Sequence, residues 1–320
     1  MSGFSSANND HLIRSELWST RLKEVLEDEL MGTKYVDMIA DFPDGDTINI
    51  PSIGQAEVND YTEDSSIVYN AMDTGNFTFS ITDYKSSATY ITEKMKQDSF
   101  YMDRLVSSFV PKQSRAISKS MEVSILKQPT PAGVAGQTTA DTNTINGAEH
   151  RWVGSGTNEV ITAADFAKAK YALQKANVPM TNLTAIVDPS VEYELSTLTN
   201  LVNVSNNPRW EGIVNSGMST GMKFLVNIYG FDVWVSQNLH QNTASEAIGG
   251  VTSTVGVNNL FFSAAPDVLP IVGNLRQPPK VDSEYNKDRQ REEYVTTARY
   301  GFKFFRPENM CVVVTDTDQV

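Results

Sequence analysis

The sequence predicts an α+β fold, and three stretches carry that prediction. Over residues 98–127, Met102, Leu105, Val106, Phe109, Val110, Ala116, Ile117, Met121 and Ile125 recur at three- and four-residue steps, the one-sided apolar stripe of a helix. Residues 36–84 change character: GDTINIPSIG, SSIVYN and GNFTFSITDY are rich in β-branched and aromatic residues and punctuated by Gly, Pro, Asn and Asp, as in a long β-hairpin. The close, YVTTARYGFKFFRPENMCVVVT, sets Tyr294, Thr296, Ala298, Tyr300, Phe302 and Phe304 on one face. It then turns at Pro307, Glu308 and Asn309 and returns as a buried apolar strand.

The helix is the longest expected element. At about 1.5 Å per residue it makes a rod on the order of 45 Å long, which suits an extended molecule. Pro111 lies inside the stripe, where it removes a backbone donor and disfavours α geometry at Val110. The stripe keeps its phase across it, since Val106 to Ile117 is eleven residues, about three turns. A kink with helix on both sides is expected.

At 320 residues with 40% hydrophobic content, the chain can bury one large core or two moderate ones. No run of eighteen apolar residues exists, and the opening MSGFSSANNDHLIRSELW lacks the basic and apolar regions of a signal peptide, so a soluble, non-exported protein is expected. The single cysteine, Cys311, excludes an internal disulfide and a thiolate zinc site, and within MCVVVT it reads as a buried thiol.

Taken in order, Ile13, Leu17, Leu22, Val25, Leu26 and Leu30 predict an amphipathic helix over residues 10–30, with Gly32 as its stop signal. Residues 36–84 follow with ten acids and no lysine or arginine, against 29 acids and 26 bases in the rest of the chain. This arm therefore carries ten of the thirteen net negative charges. One reading is a solvated hairpin whose charges discourage edge-to-edge aggregation. The other is an arm that docks on a basic surface of another subunit, because a long two-stranded hairpin buries little apolar surface alone. The docking residues would be Asp60, Glu63 and Asp64 for charge and Ile67, Tyr69, Phe77 and Phe79 for buried area. The basic candidates lie in the helix text (Lys94, Lys96, Arg104, Lys112, Arg115, Lys119, Lys127) and the terminal text (Lys287, Arg289, Arg291, Arg299, Lys303, Arg306). A calcium loop at DFPDGD is the minor alternative, since it lacks the full EF-hand ligand set and its distal Glu.

Residues 128–160 are polar and rich in Gly, Thr, Asn and Pro, as a surface loop is, with room for short strands. Thr162 and Asp165 resemble a capping box for a helix that buries Phe166, Ala169, Leu173 and Ala176. LTAIV reads as a strand, and Asp188 with Pro189 as the N-cap and first turn of the next helix. Phe231, Val233 and Val235 alternate with Asp232, Trp234 and Ser236 as in a strand, residues 240–258 form a second loop, and LFFSA and VLPIV return to the core. Residues 282–293 alternate acids and bases in a solvated, interface-like segment.

No catalytic, cofactor or metal site is predicted. The histidines, His11, His150 and His240, fall in loop or terminal text with no i, i+4 pair and no GxSxG elbow. Lys223 lacks the Walker spacing, and Gly154 with Gly156 lacks a third glycine. With a net charge of −13 and no basic stripe interleaved with aromatics, tight direct binding of DNA is not expected. Two of the 39 acids converging in a cleft would make a carboxylate-based hydrolase, the alternative of a different class.

The order of these elements is similar to a known family. An N-terminal helix, GDTINIPSIG opening a long hairpin, a long kinked helix, a helix–strand–helix, VNSGMSTGMKFLVNIYGFDVWVSQNL and a terminal ARYGFKFFRPENMCVVV together resemble the major capsid proteins of tailed bacteriophages, of Hong Kong 97-like fold. The resemblance spans about residues 10–316; its specificity lies in order and spacing, since each motif is degenerate. It implies an N-terminal arm over 1–35, an extended β-hairpin loop over 36–84, and a peripheral domain with the spine helix over 85–159. An axial domain over 160–279 and a C-terminal return to the peripheral domain over 280–320 complete it.

It further implies a structural protein that assembles with itself, as hexamers and pentamers, into an icosahedral virion shell formed in the host cytoplasm. The shell encloses double-stranded DNA without sequence-specific binding and without a membrane. A separate scaffolding protein, a portal and a cement protein are the implied partners. The family's type member cross-links its shell through a lysine on the extended loop; residues 36–84 have none, so noncovalent cohesion is expected. No long helical region precedes the fold, which argues against a fused scaffold. An encapsulin-like nanocompartment shell is the alternative within the same fold.

Overall fold

A computed structural model describes residues 30–39, 47–53, 58–67, 69–70, 74–98, 102–130, 142–197, 224–242 and 256–316. The helix expected over residues 10–30 lies almost wholly outside them. In chain order the elements are β1 (Val36–Met38), β2 (Thr47–Ile53), β3 (Thr74–Ser80), β4 (Asp83–Thr92), α1 (Glu93–Asp98), α2 (Met102–Leu126), β5 (Thr144–Ile145), β6 (Ala148–Glu149) and β7 (Arg151–Val153). They continue with α3 (Ala163–Lys175), β8 (Leu183–Val187), α4 (Pro189–Thr197), β9 (Phe224–Ile228), β10 (Phe231–Val235), β11 (Gly256–Ser263), β12 (Ile271–Asn286), β13 (Arg291–Phe304) and β14 (Cys311–Asp316).

The apolar stripe folds as α2, which runs through Pro111 with helix on both sides. α1 precedes it over Glu93–Asp98, and residues 99–101 between the two lie outside the described residues. Of the expected stripe Ile117, Met121 and Ile125 are buried on the apolar face of α2, joined by Leu126, whereas Ala116 is exposed and the side chains of residues 102–110 lie outside the description. Across that face Thr296 donates to Gln113 (3.2 Å), the Ser120 and Tyr300 hydroxyls bond at 3.2 Å, and Ser124 donates to Asp83 (3.3 Å). These bonds fix the helix on a four-stranded sheet of order β1-β12-β13-β4.

One acid in α2 does what no sequence spacing announces. Glu122 is fully buried, and its carboxylate accepts the backbone N–H of Met31 at 3.1 Å and of Gly32 at 2.5 Å. A Cβ on residue 32 would stand 2.6 Å from that carboxylate, so glycine is required for the close approach. Gly32 also opens a 3-10 turn, Gly32–Tyr35, and the helix it is expected to stop lies outside the described residues.

Among the described residues the second large sheet has six strands, in the order β7-β14-β11-β8-β10-β9. Alternate residues of its central strands point to opposite faces, and both faces are buried. Ala185, Val187, Phe261, Cys311 and Val313 pack under α3 and α4, whereas Ile186, Leu260, Phe262, Val312 and Val314 enter a second core with α2, Tyr35, Ile271, Tyr300 and Phe302. This explains the continuous apolar runs LTAIV and CVVV, since a strand covered on both faces has no polar side. The Cys311 thiol is fully enclosed, and burial pushes its pKa well up.

The local signals for α3 and α4 hold. The Asp165 carboxylate accepts the N–H (2.8 Å) and hydroxyl (3.0 Å) of Thr162, and the expected Phe166, Ala169 and Leu173 are fully buried. Asp165 is also a hub: it accepts Trp152 Nε1–H at 3.1 Å, Ser155 N–H at 3.2 Å and the Ser155 hydroxyl at 2.9 Å. Asp188 caps α4 by accepting Ser190 N–H at 3.0 Å. Two buried asparagines lock the terminal strand. Asn259 donates to the Val313 carbonyl (3.1 Å) and the Thr315 hydroxyl (2.8 Å) and accepts Asp188 N–H (2.9 Å). Asn309 donates to the Ser263 and Val268 carbonyls (2.9 and 2.6 Å) and accepts Ser263 N–H (2.9 Å). In the loop before α3, Asn146 (φ 50°) and Gly147 (φ 78°) make the two-residue turn joining β5 to β6.

Sheet membership redraws several expected boundaries. Val36–Met38 pairs in parallel with Ile271, Val272 and Gly273, so it belongs to the four-stranded sheet and not to the arm. Asp83 opens β4 in the same sheet, which removes Asp37 and Asp83 from the arm's acids. Residues 280–320 do not return to one sheet: β14 inserts between β7 and β11 of the six-stranded sheet, and β7, within 85–159, joins it there. The segment 282–293 is the far end of the β12–β13 hairpin.

Of the three histidines, His150 is buried at the join between β6 and β7, and its Nδ1–H donates to the Ala148 carbonyl at 3.1 Å. Burial lowers its pKa. As pH falls through the ordinary histidine value of about 6.5, the unfolded chain binds the proton first. Stability is therefore lost toward acid. Urea midpoints should decline from about pH 7.5 to about pH 5.5, above the carboxylate range, and His150→Gln should flatten that slope; an unchanged slope contradicts the assignment.

Candidate subunit interface

The arm is built on a two-stranded ladder whose register runs from Thr47↔Ser80 to Ile53↔Thr74. Its stem is anchored to its own subunit. Phe79 is 0% exposed and packs with Ile81 and Val272, with Ile48 and Phe77 alongside. Phe77 meets Phe305 edge to face at 4.8 Å, and the Lys303 ammonium lies 5.0 Å above the Phe77 ring while donating to the Thr78 carbonyl at 2.7 Å. Phe79 is thus a core residue of its own chain and leaves the expected set of docking residues. Lys303, expected to meet a neighbour's arm, holds its own.

Beyond the stem, Asp60, Glu63 and Asp64 are all exposed. Glu63 and Asp64 occupy the apex of a turn closed by Ser65 N–H donating to the Thr62 carbonyl at 3.1 Å, with Asp64 left-handed at φ 68°. Aspartate tolerates that conformation better than most residues. The same stretch leaves large apolar groups in water, with Ile67 64% and Tyr69 90% exposed and Val58 and Tyr61 also open. Exposed apolar side chains of this size make the stretch a candidate for an interaction surface.

The two basic candidate stretches lie on elements that pack together, since α2 contacts β13 and β4. Lys119 is exposed on α2, Arg115 is half-buried there, and Arg289 is exposed in the turn closing the β12–β13 hairpin; Arg104 falls on the part of α2 whose side chains are not described. Arg291 is committed within its subunit: its guanidinium lies 4.3 Å over the Tyr90 ring and its Nε–H donates to Glu293 at 2.6 Å, which lowers the Glu293 pKa. Lys96 pairs with Glu292, and each holds the other charged, raising the lysine pKa and lowering the glutamate's. Among the described residues no group of three or more His, Cys, Asp or Glu is placed to hold a metal, and no helix is long and apolar enough to cross a membrane.

Comparison with solved structures gives the same architecture. The chain is similar to one from Mycobacterium phage Che8 (17% identity, 95% of this chain and 97% of that one, TM-score 0.69). It is also similar to chains of the capsids of Cyanophage P-SCSP1u (16% identity, 94% and 91%, TM-score 0.68) and Ralstonia phage GP4 (10% identity, 100% and 100%, TM-score 0.67). At these identities the likeness is one of fold. No curated protein matches the sequence. The sequence profile of the phage capsid protein family matches residues 76–313, which takes in β4, the α2 helix, the six-stranded sheet and the β12–β13 hairpin. The match covers most of the chain, and the chain belongs to the phage capsid protein family.

Proposed function

We propose that this capsid protein builds an icosahedral shell of hexamers and pentamers around double-stranded DNA, with a Hong Kong 97-like arrangement of its parts. The four-stranded sheet with α2 acts as the peripheral domain and α2 as its spine. The six-stranded sheet with α3 and α4 acts as the axial domain at the capsomer centre. A separate scaffolding protein, a portal and a cement protein serve assembly in the host cytoplasm, and the acidic chain does not adsorb its own cargo.

The observation that carries this reading is the arm. Its stem is fixed to its own core by Phe79, while its far part presents Asp60, Glu63, Asp64, Ile67 and Tyr69 to solvent. A neighbour's Lys119, Arg115, Arg104 and Arg289 supply the complementary charge, with Arg291 at the margin of that surface. Burial of Ile67 and Tyr69 supplies most of the affinity, at about 1.5–3 kcal/mol for a large apolar side chain, against about 0–1 for an exposed ion pair. Charge sets register and partner choice.

Cohesion in this reading is noncovalent: residues 36–84 contain no lysine, so the arm cannot supply the amine of an isopeptide bond. Denaturing electrophoresis of mature particles should give a single monomer band. A covalent ladder mapped to the arm by mass spectrometry contradicts the proposal.

A further inference from the structure

The four-stranded sheet has two outer edges, and they are built differently. On one side β1 covers only Ile271, Val272 and Gly273 of β12, and the rest of that edge is blunted by Pro278, Pro279 and register shifts between Leu275 and Gln277 and between Gln277 and Lys280. Prolines and bulges at an edge deny a template to further strands. On the other side β4 runs ten residues in unbroken register with β13, from Asp83↔Tyr300 to Thr92↔Arg291, with no proline and no bulge. No strand covers its far side among the described residues. Alternate residues of an antiparallel strand turn their N–H and C=O to the same side, so about half of the β4 backbone groups face outward.

The side chains of β4 fit the same purpose. Its charges, Asp83 and Lys85, sit at one end, leaving Ser86 to Ile91 uncharged. On the sheet face shared with Arg291 and Arg299, Tyr84 is 63% and Tyr90 57% exposed, with only Ser86 and Ala88 between them. Two aromatic walls flanking small residues leave a saddle along an open backbone edge.

We propose that β4 receives a strand from a second copy of this chain, which extends the four-stranded sheet across a subunit boundary. The occupant is a second copy because a capsid subunit is surrounded by copies of itself, and because an edge without proline or bulge, uncharged from Ser86 to Ile91, is an aggregation hazard in a subunit that stays alone. Backbone hydrogen bonds supply the affinity, and Tyr84 and Tyr90 set the position of the incoming strand. The inference rests on self-assembly of the chain.

Amide hydrogen exchange read by mass spectrometry, on unassembled subunits and on finished shells whose wall is this chain alone, tests it. The outward amides of residues 83–92, about five of them, should exchange fast in the free subunit and slow by about tenfold or more in the shell. Equal exchange in both states overturns the inference while leaving self-assembly intact, as does protection that a different protein confers on the unassembled subunit. Failure of the chain to form shells, with or without a scaffolding protein, overturns both. Ser86→Pro and Ser87→Pro give a second readout, since one of these adjacent N–H groups faces outward. The folded variant of the two should lose assembly; normal shells from both contradict strand addition.

Discussion

Replacing Phe261 by alanine should lower the free energy of unfolding by about 3–5 kcal/mol, the range for emptying a large aromatic site in a packed core. Phe261 is fully buried in β11 and meets two rings edge to face, Phe166 of α3 at 5.1 Å and Phe231 of β10 at 5.5 Å. Each aromatic pair adds about 0.5–1.5 kcal/mol beyond its area. The ring therefore ties a helix to two strands, and its loss frees all three. Native stability is about 5–15 kcal/mol, so the variant stands near the threshold of folding. Urea denaturation checks this. Phe261→Leu, which keeps most of the volume, should cost distinctly less; a loss under about 1 kcal/mol for alanine, the usual surface range, refutes the assignment of Phe261 to the centre of this core.

The second large effect is expected on assembly. Reversing Glu63 and Asp64 to lysine should leave the subunit folded, because both are exposed at the apex of a turn, yet should prevent normal shells at low salt. One exposed ion pair is worth little, but the substitution replaces attraction by repulsion at every subunit boundary. Reversal of Lys119 and Arg289 to glutamate in the same chain should partly restore assembly, and raised salt should shrink the difference. Light scattering during assembly, with circular dichroism as the control for folding, gives the answer. Normal assembly by the reversed arm at low salt contradicts charge-guided docking.

How far the sequence could be read depends on the range of the forces involved. Local chemistry was legible: Thr162 with Asp165, Asp188 with Pro189, the alternation of Phe231, Val233 and Val235, and Ile117, Met121 and Ile125 of the α2 stripe each act within a few residues, and each appears as expected. Partners remote in the chain were not. Nothing near Val36 reveals its pairing with Ile271, and nothing near Glu122 reveals that it holds the backbone of Met31 and Gly32. β12 was hidden by Pro278 and Pro279, which ordinarily exclude a strand and are tolerated here because they fall in register shifts on an open edge. The turn at Asn146 and Gly147 did carry a hairpin signature and was lost in the polar composition around it.

The interface was half legible for the same reason. Composition alone isolated the acidic arm, since the absence of lysine and arginine over 36–84 is visible in the letters. It did not distinguish Phe79, which faces its own core, from Tyr69, which faces solvent, because both stand in similar β-rich text. Gly301 is a further case: a Cβ there would lie 2.9 Å from the backbone of Ser80 and Ile81, so the glycine lets the arm's stem lie against β13.

The most direct test of the central claim is an electron cryomicroscopy reconstruction of particles assembled from this protein in the presence of its scaffolding protein, at a resolution that follows the chain across subunit boundaries. The account predicts closed icosahedral shells in which Asp60, Glu63 and Asp64 of each arm lie within about 8 Å, one Debye length at physiological salt, of a lysine or arginine on the α2 and β13 surface of an adjacent subunit, with Ile67 and Tyr69 buried beneath. Discrete small oligomers, or shells whose arms fold back on their own subunit with those acids in solvent, would contradict it.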